Sequence, residues 1–85
     1  MFLHVSKVTY LEDYRLQIHF NDDTIHVIDL ANELEGEIFE PLQTKTYFQQ
    51  VSINEETGTI EWPNGADFAP EFLQEIGQPI ELAIS

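Results

Sequence analysis

From Tyr14 to Phe20 apolar side chains fall on alternate positions, at 14, 16, 18 and 20, with Arg15, Gln17 and His19 between them. A period of two puts one set of side chains on one face of an extended chain, so this run predicts a half-buried strand. After the turn cluster Asn21-Asp22-Asp23, a β-rich pattern resumes at Ile25, Val27, Ile28 and Leu30, and residues 14 to 30 read as a hairpin. A two-residue turn at Asp22-Asp23 sets Phe20 against Ile25 and Ile18 against Val27, leaving His19 opposite His26 on the exposed side. Val5, Val8 and Tyr10 mark an earlier strand with imperfect alternation.

Helical signals come later and are short. Asp29 is placed to cap a brief helical turn that Gly36 ends. A second short helix follows, with Leu42, Tyr47, Phe48 and Val51 as apolar positions, Thr44 or Thr46 as its cap, and capping-box spacing between Thr46 and Gln49. Val51 and Ile53, then Ile60 and Trp62, alternate around a loop that contains Gly58, which makes a second hairpin.

The stretch from Glu61 to Glu71 concentrates special geometry. Trp62 ends a strand and reads as a core anchor, Pro63 presets φ for the second position of a type I turn, and Gly65 falls at its fourth, with Asn64 between them. Ala69, pushed out of the helical region by Pro70, suits an N-cap, with Pro70 at the first helical position and Glu71 in the positively polarised first turn. Phe68 and Leu73 then have staple spacing, Asp67 is placed to close an Asx-turn, and Phe72, Leu73 and Ile76 form the buried stripe of a helix over 70–76. Gly77 and Pro79 break the chain, and Ile80, Leu82 and Ile84 alternate as a last strand. The order β, β, β, short α, α, β, β, α, β predicts a small single α+β domain over 1–85. Its sheet is mainly antiparallel, built from two hairpins with two or three short helices.

Length and charge narrow the function classes. At 85 residues folding hides only roughly 60–65% of the surface the unfolded chain exposes, yet 42% hydrophobic content suffices for one core. Sixteen Asp and Glu oppose Lys7, Arg15 and Lys45, a net charge of −13. Three scattered cations make no phosphate-binding footprint, so direct nucleic-acid binding is excluded, and anionic membranes repel the chain in the same way. An acidic surface keeps a protein soluble and steers encounter with a basic partner. No apolar run approaches the roughly 18–20 residues of a membrane span, and the opening lacks a signal-type segment, so a cytoplasmic protein is expected. The absence of Cys fits that compartment.

The whole chain resembles the small bacterial family called Domain of Unknown Function 2442. The likeness runs through "VSKVTYLEDYRLQIHFNDDTIHVIDL" and "IFEPLQTKTYFQQV" to "TGTIEWPNGADFAPEFL". The last is the most specific: a strand ending in Trp-Pro-Asn-Gly, then Asp and a Pro-Glu helix start, here Trp62, Pro63, Asn64, Gly65, Asp67, Pro70 and Glu71. "NDD" departs from the Asp-Gly or Asn-Gly turn common in such proteins. The resemblance implies no established activity. Some relatives resemble fusions to a helix-turn-helix domain and others lie beside a gene for another small protein, which implies a regulatory or toxin-antitoxin-like partnership.

Chemical motifs are mostly negative results. There is no P-loop, no GxGxxG, no His-Glu-x-x-His and no GxSxG, and no Ser adjoins a His. Asp22/Asp23 and Glu55/Glu56 lie in turns, without the enclosure general acid–base catalysis needs. His19 and His26 lack a third zinc ligand at suitable spacing, so no catalytic residue, cofactor or metal is assigned. The expectation is a non-catalytic interaction module for a basic protein, with Trp62 to Gly65, Asp67, Phe68, Pro70 and Glu71 as its candidate surface. A small-ligand or metal-binding domain, or an enzyme subunit, is the alternative, and self-association stays open.

Overall fold

A computed structural model describes residues 2–80. Over these residues the chain forms strands β1 (Val5–Tyr10), β2 (Arg15–Phe20), β3 (Ile25–Asp29), β4 (Ser52–Asn54), β5 (Thr59–Glu61) and β6 (Gln78–Pro79), with helices α1 (Lys45–Phe48) and α2 (Pro70–Ile76). Short 3-10 turns occupy Ala31–Glu33 and Glu40–Gln43. One antiparallel sheet has the order β1-β2-β3-β6, and β4 pairs antiparallel with β5 as a second ribbon. This is the expected α+β class.

The period-two pattern of β2 is realised directly, since Leu16, Ile18 and Phe20 are buried while Arg15, Gln17 and His19 are only partly so. The imperfect alternation of β1 has a physical cause. Val5 pairs with Phe20 and Lys7 with His19, so Ser6 is an extra residue, a bulge that returns Val8 and Tyr10 to the inner face. A bulge and an outward lysine also protect this edge strand from pairing with other chains.

The β2–β3 register differs from the two-residue turn expected. Phe20 N–H donates to Thr24 O at 2.9 Å and Asp23 N–H to Phe20 O at 3.1 Å, with Asp23 at φ +68°. The loop is therefore Asn21-Asp22-Asp23, a type I turn closed by a left-handed residue. The extra loop residue slides the ladder by one: His19 pairs with Ile25, and His26 with Ile18. His26 consequently points inward at 7% exposure, with its ring edge-on to Phe20 at 5.2 Å. His19 and His26 lie on opposite faces of the sheet, not across from each other on one.

Other local details were also redistributed. Asp29 Oδ1 accepts the Ala31 N–H at 2.9 Å, but Leu30 and not Asp29 holds the cap position, and the turn is 3-10 and ends at Glu33, ahead of Gly36. Thr44 occupies the α1 cap position without a side-chain cap bond, and Thr46 lies inside the helix, so the Thr46/Gln49 box does not form. Ala69 caps α2 with extended φ/ψ, and Pro70 stands at its start. Gly77 is required for close approach: a Cβ there would sit 2.7 Å from Ile28 Cγ1 and 3.0 Å from Leu73 O. That contact lays the end of α2 on the inner face of β3. Ile80 N–H donates to Ile25 O at 2.8 Å, continuing the β6 ladder, whereas Leu82 and Ile84 of the expected last strand lie outside the described residues. No helix among the described residues is long and apolar enough to cross a membrane.

Candidate functional site

The segment joining β5 to α2 is held from both ends. Trp62 N–H donates to Ala66 O at 2.9 Å and Gly65 N–H to Trp62 O at 2.9 Å, with Gly65 at φ +89°. This repeats the three-residue hairpin of Asn21-Asp22-Asp23, and glycine takes the left-handed position at no steric cost. The Trp62 side chain goes inward, 2% exposed, and its Nε1–H donates to Phe48 O at 2.9 Å. Pro63, Asn64 and Gly65 remain exposed.

Asn64 fixes this turn against the rest of the molecule. Its Oδ1 accepts the Ala66 N–H at 3.1 Å and its Nδ2 donates to Ile38 O at 2.8 Å. The Asx-turn assigned to Asp67 is thus made by Asn64. Asp67 instead faces Glu61 in a single antiparallel bridge, and its side chain is exposed.

Docking of the turn onto Ile38 brings Phe39 against Phe68 and Phe72, a pair four residues apart at the start of α2. Phe68 lies between Phe39, with centroids 4.9 Å apart and planes at 23°, and Phe72, at 5.8 Å and 15°. The edge of the Trp62 pair meets Phe68 at 5.9 Å and 82°. Such pairs contribute roughly 0.5–1.5 kcal/mol each beyond simple burial. All three Phe are half-buried, and neighbouring Ile38 is 46% exposed. Glu37, Glu40, Asp67 and Glu71, adjacent in sequence to these side chains, are exposed.

Cations are placed elsewhere. Arg15 meets Glu12 at 2.8 Å and Asp29 at 3.6 Å, and Lys45 meets Asp13 at 3.0 Å. These pairs gather at the β1–β2 turn, and the hydrogen bond that Lys45 Nζ donates to Asp13 Oδ1 raises the Lys45 pKa above its ordinary value. Lys7 lies on the outer face of the sheet beside His19. No Lys or Arg stands between Arg15 and Lys45 or after Lys45, so the stretches that carry Glu37, Glu40, Asp67 and Glu71 contain no cation of their own. On the opposite side of α2, the Thr24 hydroxyl and then Gln74 Nε2 donate to Asp22 and hold its carboxyl below the ordinary aspartate value.

Of the expected surface residues, Trp62 is core, Pro70 is buried at the helix start, and Pro63, Asn64, Gly65, Asp67 and Glu71 are exposed around half-buried Phe68. Phe39 and Ile38 were not identified from sequence, because they lie in an irregular segment with no period to assign a face. The imidazoles do not converge: His4 lies over Gly58, His19 is on the outer face, and His26 is inside. Among the described residues no three His, Asp or Glu are grouped to hold a metal ion.

A family model described as a protein of unknown function, DUF2442, matches residues 5–78. No curated protein and no solved structure is matched by the chain. The matched span contains β1 to β5, α2 and the Trp-Pro-Asn-Gly turn. The chain belongs to the DUF2442 family.

Proposed function

We propose that this chain is a small cytoplasmic, non-catalytic interaction or regulatory module that engages a basic protein through the acidic surface around the Trp-Pro-Asn-Gly turn. The observation that carries this reading is the segregation of charge. Arg15 and Lys45 are paired with Glu12, Asp29 and Asp13 near the β1–β2 turn, while exposed Glu37, Glu40, Asp67 and Glu71 neighbour Ile38, Phe39, Phe68 and Phe72 along the chain, in stretches without Lys or Arg. Complementary charge accelerates encounter, and a desolvated aromatic contact supplies affinity. The turn is pre-ordered by Asn64 and Gly65, so little ordering entropy is lost on binding. A regulatory or toxin-antitoxin-like pairing, implied by the family resemblance, is the natural setting for such a module.

The test is co-purification from the native host followed by stopped-flow binding of the recovered partner. Association should slow steeply between low salt and about 0.15 M, where the Debye length is roughly 8 Å, while dissociation changes less. Reversing Glu55 and Glu56 to lysine in their exposed turn should weaken the steering field and leave folding intact. Recovery of no basic protein, or a salt-independent rate, would overturn the proposal. A stoichiometric metal or chromophore in its place would support the alternative of a ligand-binding domain or enzyme subunit.

A further inference from the structure

Resting on that reading, we infer that the contact point is the Phe39–Phe68–Phe72 stack and that it receives arginine side chains of the partner. Phe68 has neighbours at both Phe39 and Phe72, whereas the two outer rings make no ring contact with each other. Both outer rings are only partly buried and so keep some accessible surface. Glu40 follows Phe39 directly and Glu71 precedes Phe72, so each outer ring has an exposed acidic residue as its immediate neighbour in the chain.

Charge decides among the occupants. A second copy would bring the same carboxylates against themselves, and an anionic lipid surface would be repelled by them. A neutral apolar segment would leave the carboxylates unmatched at the rim. A cationic segment satisfies both parts of the surface. Between the two cations, guanidinium is planar, stacks on aromatic faces, is weakly hydrated and forks onto a carboxylate, whereas ammonium is a compact, strongly hydrated point charge. Stacked rings with adjacent carboxylates select arginine.

The probes are a synthetic peptide of alternating Arg and Ser and its Lys twin of equal length and charge. At about 0.15 M salt the Arg peptide should bind roughly two- to fivefold more tightly, the worth of one exposed cation–π contact. The phenylalanine ring currents should move the peptide's Arg side-chain protons, and the chemical-shift changes of the unmodified protein should centre on Phe39 and Phe72. Phe72→Leu, and separately Phe39→Leu, should equalise the two peptides while each variant keeps its circular dichroism spectrum. Equal binding by the two peptides, or shifts confined to other residues, would overturn the arginine site while leaving the acidic-surface reading standing. Failure of both peptides to bind even at low salt would remove both.

Discussion

Replacing Trp62 by alanine separates a structural from a contact role for the most conspicuous residue in the chain. The indole is 2% exposed, is tilted on Phe48 with centroids 5.5 Å apart, meets Phe68 edge-on and donates to Phe48 O. Truncating a buried aromatic costs about 3–5 kcal/mol through lost transfer energy and the cavity left behind. The carbonyl of Phe48 also loses its indole donor, which places the expected cost toward the upper end. A domain of this length has a total stability of roughly 4–13 kcal/mol, so the variant should retain at most about two thirds of it and at the lower bound should not fold.

The assay is urea denaturation followed by far-UV circular dichroism, because the substitution removes the chain's single Trp and its fluorescence. With a slope near ~1 kcal/mol/M for a small domain, the midpoint should fall by roughly 3 M or more. Trp62→Phe keeps most of the ring and deletes only the Nε1–H donor and part of the volume, and should cost about 1–2 kcal/mol. Equal midpoints for Trp62→Ala and the parent would refute the reasoning and return the indole to the surface.

Three further outcomes follow from the packing. Gly77→Ala should destabilise by about 1–3 kcal/mol in the same urea assay, since the new methyl meets Ile28 Cγ1 at 2.7 Å and the Leu73 carbonyl at 3.0 Å. His26→Leu should match or exceed the parent by up to about 1 kcal/mol, because it removes a buried Nδ1 that has no hydrogen-bond partner among the described residues, and a loss above ~2 kcal/mol would show that the ring has a partner after all. The Asp22 carboxyl is lowered in the folded state, so its contribution to stability is present above the unfolded aspartate pKa and lost as pH falls through the folded value. Thr24→Val should raise that carboxyl toward its ordinary range in a carbon NMR titration, and no movement would refute the assigned cause.

How much was legible depended on whether a local pattern had one solution. Alternation in β2 had one, and so did the Ala69-Pro70 start of α2, where proline forbids the alternatives. The β2–β3 register had two. Asn and Asp both tolerate the left-handed region, so composition does not reveal whether two or three residues form the loop, and Asp23 at φ +68° decided it. Sliding one residue reversed the face of His26, which is how a turn-length ambiguity became an error about where its side chain points. The bulge at Ser6 left a trace as broken alternation in β1, readable only once the partner strand was known. The phenylalanine stack was invisible because its members come from an irregular segment, a post-turn residue and a helix, joined by the long-range bond from Asn64 to Ile38.

The Trp-Pro-Asn-Gly turn therefore carries folding information at each position, and this locates where specificity resides. Trp62 fills the core, proline fits the φ that the type I turn requires, Asn64 ties the loop to Ile38, and Gly65 occupies a left-handed conformation. Substituting any of them perturbs the platform, so a binding defect there does not separate contact from fold. Residues that the platform displays are different in kind. Glu37, Glu40, Asp67 and Glu71 are exposed and accept no side-chain hydrogen bond among the described residues, so removing their charge leaves the core unchanged. Glu40→Gln combined with Glu71→Gln should therefore keep the stability within about 1 kcal/mol of the parent, the most that loss of Glu71 from the first turn of α2 costs at the surface. If the interaction surface is where we place it, the same pair should weaken binding of a basic partner and flatten its salt dependence. A variant that folds normally and binds unchanged would move the function off this surface, whatever the turn residues do.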